Sequence, residues 1–381
     1  VMDSAGSRLF SPLRLRGLEI PNRVVISPMC QYSAEEGLVN DWHLVQLGRY
    51  ALGGAGLVFT EASAVTRDGR ITHGDLGIWS DEHIPGLRRL AQFLRQHGAV
   101  PAIQLGHAGR KGSTQRPWEG GAPLQADTSG EAPWPTLSAS PLPLSERAPS
   151  PTALSPTRLE VLKQAYVDAA GRALEAGFEV IELHCAHGYL LHQFLSPLSN
   201  QRKDQYGGDR SARCRYPLEV VDALRACIPE HLPLLVRISV VDALEGGWSL
   251  EDSIDFASHL KAAGVDLIDC SSGGLGGPAT AAGVPRGYGF QVPFAEAVRR
   301  EADIPTMAVG LIVDAKQAEA ILQQAQADLI AIAREALFNP NWALHAEQAL
   351  SPETGFSRWP QQVGWWLANR ARILRKLGKL A

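Results

Sequence analysis

The chain predicts an α/β fold, a single (β/α)8 TIM barrel with a long loop after strand 3 and a C-terminal extension. Three observations carry that expectation. Eight short runs rich in β-branched residues recur along the 381 residues, each is followed by apolar residues at helical spacing, and the runs are continuously apolar instead of alternating. Such strands need cover on both faces, which a parallel sheet wrapped by helices supplies. Closing eight strand–helix units into a barrel is the economical solution. A doubly wound open sheet is the rival reading, but no G-x-G-x-x-G follows any run, and LGGAGL at 52–57 and SSGGLGGP at 271–278 have the wrong spacing.

The strands are read in order as RVVISPM at 23–29, GLVFTEA at 56–62, VPAIQLG at 100–106 and FEVIELH at 178–184. PLLVRISV at 233–240, VDLIDCSS at 265–272, IPTMAVG at 304–310 and ADLIAIA at 327–333 follow. The helices behind them are HLVQLGRYAL, IPGLRRLAQFLRQHG, VLKQAYVDAAGRALEAG, PLEVVDALRACI, SIDFASHLKAAG, PFAEAVRREA, AKQAEAILQQAQ and NWALHAEQAL, several ending in Gly or a Pro-containing turn. Residues 112–157, rich in Pro, Ser and Ala and carrying Trp118 and Trp134, form the one long irregular stretch. They fall after strand three, on the side where loops build active sites, and are read as a cover over the barrel mouth. The barrel then occupies 1–350, and 351–381 is a C-terminal extension.

Composition narrows the partners. With 36 Lys+Arg against 40 Asp+Glu, the net charge of −4 gives no reason to expect nucleic acid. The one basic concentration, Arg370, Arg372, Arg375, Lys376 and Lys379, reads as a solvated helix face. No apolar run approaches the roughly 18 residues that span a bilayer, and VMDSAGSRLF lacks the regions of a signal peptide, so no membrane contact and a cytoplasmic location are expected. Five scattered cysteines without a C-x-x-C pair argue against disulfides, structural zinc and an iron–sulfur cluster.

Chemistry in a (β/α)8 barrel gathers at the C-terminal strand ends. There the sequence offers Ser27, Pro28, Met29, Cys30 and Tyr32 after strand one, Ala62 after strand two, and Gln104 with His107 after strand three. Strand four brings His184, His187 and Tyr189, strand five Arg237, strand six Ser271 and Ser272, strand seven Gly310 and strand eight Arg334. Gly310 and Arg334 alone read as a tight turn and a surface ion pair; with the Ser/Gly-rich loop after strand six, a phosphorylated cofactor is the better account. His184 and His187 invite a metal reading, but the neighbouring ends offer Arg237, Ser and Gly instead of further ligands, so no metal is expected. Two imidazoles beside a tyrosine suit a different task, polarising a carbonyl oxygen while the phenol supplies a proton. Cys30 is either an inert thiol or a cofactor contact. Arg237, aimed into the barrel, needs an anionic partner, and a ring that becomes anionic on reduction supplies one.

These pieces resemble the Old Yellow Enzyme flavin reductases, in the branch that includes bacterial xenobiotic reductases. The likeness runs from LFSPLRLRGLEIPNRVVISPMCQYSAEEGLVNDWH through QLGHAGRK, RPWEGG, GFEVIELHCAHGYLLHQFLSPLSNQRKDQYGG and VRIS to AREALFNPNW. The resemblance implies an enzyme with non-covalent FMN, reduced by NADPH or NADH, that reduces the activated C=C bond of enones and nitro compounds by double displacement and also binds phenolic ligands. It implies Ser27, Pro28, Met29, Cys30, Ala62 and Gln104 along the isoalloxazine, Arg237 at its pyrimidine edge, and Gly310, Ala333 and Arg334 at the phosphate. His184 and His187 would bind the activating oxygen, Tyr32 would close over the substrate, and Tyr189 would deliver the proton. A homodimer or homotetramer is implied, with Trp365, Trp366 or Arg370 as candidates to reach a neighbouring active site. The chain departs from the pattern at Ala333, where glycine is usual, at Ala212, where asparagine is usual, at Cys185 between the histidines, and at Val309, tryptophan in some relatives. A dienoyl-CoA-reductase-like enzyme is disfavoured, because such relatives append a cysteine cluster and a nucleotide domain.

Overall fold

In the computed structural model, which describes residues 6–126, 131–146, 148–276 and 283–379, the eight apolar runs form a closed parallel barrel. The strands are β1 (Val24–Ile26), β2 (Leu57–Ala64), β3 (Val100–Gly106), β4 (Val180–Cys185), β5 (Leu234–Ser239), β6 (Leu267–Ser271), β7 (Thr306–Val309) and β8 (Leu329–Ile332). Each pairs with the next in the chain, and Ile330 opposite Val24 closes the ring. Several strands are shorter than their apolar runs, because the residues at the mouth leave the ladder to carry side chains into the site.

The outer layer is built from α1 (Asp41–Leu52), α2 (Ile84–Gln96), α3 (Pro156–Ala176), α4 (Arg210–Cys227), α5 (Leu250–Ala262), α6 (Val292–Glu301), α7 (Ala315–Gln323) and α8 (Trp342–Leu350). Two starts fall five or more residues before the sequence reading. Helix α3 begins at Pro156, where the Ser155 side chain accepts the Arg158 N–H and a proline at the first helical position wastes no hydrogen bond. Helix α4 begins seven residues before Pro217, because Asp209 caps it through the Ala212 N–H, and Pro217 lies inside the helix.

Two apolar shells hold the barrel. One lies between strands and helices and includes Ile26, Val58, Ile103, Leu183 and Ile268. The other fills the barrel itself, with Val25, Leu57, Phe59, Leu235, Met307 and Leu329. Leu15 and Ile20 join this inner shell from a hairpin, Leu13–Leu15 against Leu18–Ile20, that stoppers the barrel end opposite the mouth. The sequence reading passed over this hairpin, since each of its strands is three residues long. Beyond the barrel, α9 (Gln361–Lys376) buries only Gly364 and Ala371, while Val363, Trp365, Trp366 and Ile373 are exposed. Among the described residues no helix is long and apolar enough to cross a membrane.

Candidate active site

A cavity of about 410 Å³ opens at the C-terminal strand ends, and all eight strands or their following loops contribute to its wall. Ser27, Pro28, Cys30, Tyr32, Ala62, Gln104, His184, His187, Tyr189, Arg237, Gly310, Ala333 and Arg334 all line it. Met29 does not, and packs against the outer apolar shell instead. A register slip between Phe59 and Ala62 re-aims the end of β2 at this opening. The 112–157 stretch reaches the site through Tyr32, whose carbonyl accepts from Arg116 Nε at 3.2 Å and whose ring meets Trp118 edge-on at 5.7 Å. Among the described residues none of its own side chains lines the cavity.

The strand-four end is the most constrained part. The His184 and His187 rings stand edge to face at 5.3 Å, and the Tyr189 ring lies 5.0 Å from His184. Burial, then the Arg237 charge, holds both imidazoles well below the usual histidine range, so both are neutral. His184 Nδ1 accepts the Ala186 N–H at 3.2 Å, which puts the ring proton on Nε2. His187 Nε2 meets Ser271 Oγ at 2.7 Å, and its backbone N–H donates to Ser239 Oγ. Burial, then Cys30, pushes the Tyr189 phenol well up, so it keeps its proton. Cys30 is likewise pushed up, by burial and then Asp75 and Glu61, which makes it a thiol.

The turn that holds these rings is strained and braced. His187 has φ +59°, in the left-handed region, and Gly188 follows at φ +72°. A Cβ on Gly188 would lie 2.4 Å from the Gly274 carbonyl oxygen, so glycine is required there. The Gly188 N–H donates to His192 Nδ1 at 2.8 Å, and His192 Nε2 donates to the buried Asp242 at 2.7 Å. Lys111, from HAGRK, donates to the His187 and Gly274 carbonyls at 2.7 and 2.8 Å and stands 5.0 Å over the Tyr189 ring. Burial, then Arg110, pulls this lysine down to about 7.

At the far end, Gly310 has φ +116°, and a Cβ there would meet Gln291 Nε2 at 2.7 Å and Phe290 at 2.9 Å. The left-handed backbone and these two side chains both call for glycine here, and its backbone lines the cavity. Gln291, which the sequence reading missed, accepts from Ser272 Oγ and donates to the Val309 carbonyl, tying β6 to β7. Val309 lines the cavity, whereas Cys185 faces the outer core. Arg334 opens a short helix, Arg334–Phe338.

Neutral imidazole donors, a protonated phenol and a guanidinium around one barrel-mouth cavity suit an enzyme that polarises a substrate oxygen and supplies a proton beside an organic cofactor. A model of the NADH:flavin oxidoreductase / NADH oxidase family matches residues 8–353, and the chain belongs to that family. It is 46% identical over 344 residues, 90% of this chain and 94% of the other, to the NADPH dehydrogenase of Geobacillus sp. (strain WCH70). Among solved structures, morphinone reductase superposes with a TM-score of 0.73 at 27% identity, covering 91% of each chain. 2-Naphthoyl-CoA reductase, at 24% identity and TM-score 0.78, shares the fold over 88% of this chain, which spans only 51% of that longer protein. The chain is thus an enzyme of the Old Yellow Enzyme type whose cofactors are FMN and a reduced nicotinamide. The cavity suits a flavin. Arg237, its Nε paired with Asp269 Oδ2 at 3.1 Å, and Gln104 both line the opening, and the wall beside them is Pro28, Cys30 and Ala62, small enough for a flat ring.

Proposed function

We propose that this enzyme is an ene-reductase that reduces the activated C=C bond of α,β-unsaturated carbonyl or nitro compounds. The carrying observation is the pair of neutral imidazoles beside a protonated phenol on one wall of the cavity. Ser27, Pro28, Met29, Cys30, Ala62 and Gln104 would hold the isoalloxazine, Met29 through its backbone. Arg237 would stand at the pyrimidine edge, and Gly310, Ala333 and Arg334 would hold the phosphate end. FMN held by these residues would supply two-electron hydride chemistry between a reduced nicotinamide and the β-carbon of the alkene.

The protein's own groups do the rest. His184 Nε2–H and the His187 ring donate to the substrate oxygen, where negative charge builds as the β-carbon is attacked. Tyr189 O–H gives its proton to the α-carbon and regains one from water, so each turnover consumes one NAD(P)H and one proton. Because burial keeps the phenol protonated, the donor is ready at neutral pH. Tyr32, fixed by Arg116 and Trp118, closes the substrate side. One cavity serving both half-reactions gives double displacement kinetics.

The unit that does this is the barrel of 1–350, with 112–157 as its cover, working in the cytoplasm. The exposed Trp365 and Trp366 on α9 support a subunit contact by 351–381 in a homodimer or homotetramer, with one of these or Arg370 entering the neighbour's site. The test is an absorbance spectrum under anaerobic addition of NADPH and then 2-cyclohexenone. A flavin band that bleaches and returns supports the reading; a band that bleaches and does not return with any enone or nitroalkene overturns it.

A further inference from the structure

Behind the cavity wall lie two carboxylates that the reaction above does not use. Gln104 pairs across the barrel register with Glu182, and Arg237 pairs with Asp269, so strands β3 to β6 bring four polar side chains together inside the barrel. Gln104 and Arg237 line the cavity, whereas Glu182 and Asp269 sit behind them with no exposed surface. Gln104 Nε2 donates to Glu182 Oε1 at 2.8 Å, and Arg237 Nε lies 3.1 Å from Asp269 Oδ2. Among the described residues Glu182 Oε2 and Asp269 Oδ1 have no hydrogen-bond partner, and Asp269 Oδ2 meets Arg237 as an ion pair without hydrogen-bond alignment.

Two carboxylates and one guanidinium would carry a net negative charge if all were ionised, and a dry interior does not tolerate that. One proton therefore stays on the pair. Asp269 has the guanidinium beside it and Glu182 has only a neutral amide, so the proton belongs on Glu182. Burial, then the Asp269 charge, pushes the Glu182 carboxyl well up; burial also raises Asp269, while Arg237 pulls it back.

We propose that Asp269 and Glu182 are positioning residues that set the reduction potential of the bound flavin, Asp269 by balancing the charge of Arg237 and Glu182 by fixing the orientation of the Gln104 amide. With its NH2 group committed to Glu182, the Gln104 carbonyl oxygen is left to face the cavity as an acceptor. With Asp269 ionised, Arg237 presents a compensated charge, which restrains how strongly it favours the reduced, anionic ring. The proposal rests on the reading that Gln104 and Arg237 face FMN.

The experiment is a potentiometric titration of the holoenzyme for wild type, Asp269→Asn, Glu182→Gln, their double variant, Glu182→Leu and Arg237→Ala. Fluorescence titration of each apoprotein with FMN, and infrared spectra of the protonated-carboxyl C=O region, accompany it. Asp269→Asn removes the ionised partner beside Arg237 and should raise the preference for reduced over oxidised FMN by about tenfold, the scale of one nearby charge in a protein interior. For two electrons tenfold is about 30 mV in the positive direction. The double variant should shift further, because Glu182 can no longer ionise in place of Asp269. Glu182→Gln, which keeps an acceptor for the Gln104 amide and carries no charge, should fold, leave the potential nearly unchanged and abolish the carboxylic-acid band, whereas Glu182→Leu, which removes that acceptor, should change the potential and weaken FMN binding; neither change in Glu182→Leu would overturn the orienting role. Arg237→Ala should move the potential the opposite way. If Arg237→Ala shifts it and the Asp269 and double variants do not, the charge-balancing role is overturned while the reading of Arg237 stands. If Arg237→Ala changes neither potential nor FMN affinity, that reading fails and the proposal with it. Should Asp269→Asn not fold, a carboxylic-acid band that persists in Glu182→Gln refutes the proton assignment by itself.

Discussion

Replacing His184 with alanine removes one of the two ring donors and isolates the step that the site is built for. His184 is almost fully buried, and its tautomer is set by the Ala186 N–H, so in the folded protein its Nε2–H needs no reorganisation before it donates. A preorganised donor aimed at developing oxygen charge is worth about 2.7–4 kcal/mol, or 10²–10³ in rate. The same hydrogen bond to a bound phenolate is worth roughly 1.5–3 kcal/mol, on the order of a 10- to 150-fold rise in Kd. Stopped-flow absorbance separates the two half-reactions, and titration with p-hydroxybenzaldehyde reads the phenol site. His184→Ala should lose the full factor in enone reduction and in phenol affinity, while flavin reduction by NADPH loses much less. His184→Asn, which restores an N–H donor, should recover part of both. Unchanged affinity for p-hydroxybenzaldehyde in His184→Ala would refute the assignment of His184 to the substrate oxygen.

Tyr189→Phe should slow enone reduction by about 10²–10⁴, the range for one general acid, and leave reduction by NADPH near wild type; equal loss in both half-reactions, followed by stopped flow, speaks against a proton-donor role. Gly188→Ala forces a Cβ against the Gly274 carbonyl at φ +72°, so urea melts should show at least about 1–3 kcal/mol of lost stability together with weaker phenol binding. Stability should also depend on pH through buried imidazoles. His107 is pulled down to about 4 by burial, with Asp68 opposing, and His184 and His187 are lowered too. A base whose folded pKa is depressed binds its proton first in the unfolded chain. Its contribution is therefore present above the unfolded value of 6.5 and is lost as pH falls toward 4, at up to about 1.4 kcal/mol per pH unit for each ring. Urea midpoints between pH 7 and 4.5 check this; a flat profile contradicts neutral burial.

The barrel and most of its mouth were legible in the residues because the two signals are independent. Continuous apolar runs identify strands buried on both faces, and a polar residue at the end of such a run has nowhere to go but the mouth. One part that escaped is the polar residue within a run. Glu182 in FEVIELH and Asp269 in VDLIDCSS look like interruptions, yet each stands two positions before a mouth residue, His184 or Ser271, on the same side of its strand. Period-two parity would have found them. Gln291 carried no such signal, since it precedes a helix and acts only through a tertiary contact with Ser272 and Val309. Pro217 misled the reading of α4 because a proline is a common helix start, and the Asp209 cap outweighs it locally.

The stoppering hairpin bears on how the chain reaches this structure during synthesis. The backbone N–H groups of Arg8 and Leu9 donate to the carboxylate of Glu319, more than 300 residues later, and β1 finds its second neighbour only in β8. A growing chain therefore holds Leu15 and Ile20 without their complete seat until the last strand has left the ribosome. Deleting residues 7–20 would remove little of the site's wall but would open the base of the inner core to water, and the cost would appear as poor recovery of folded protein before it appeared as altered turnover.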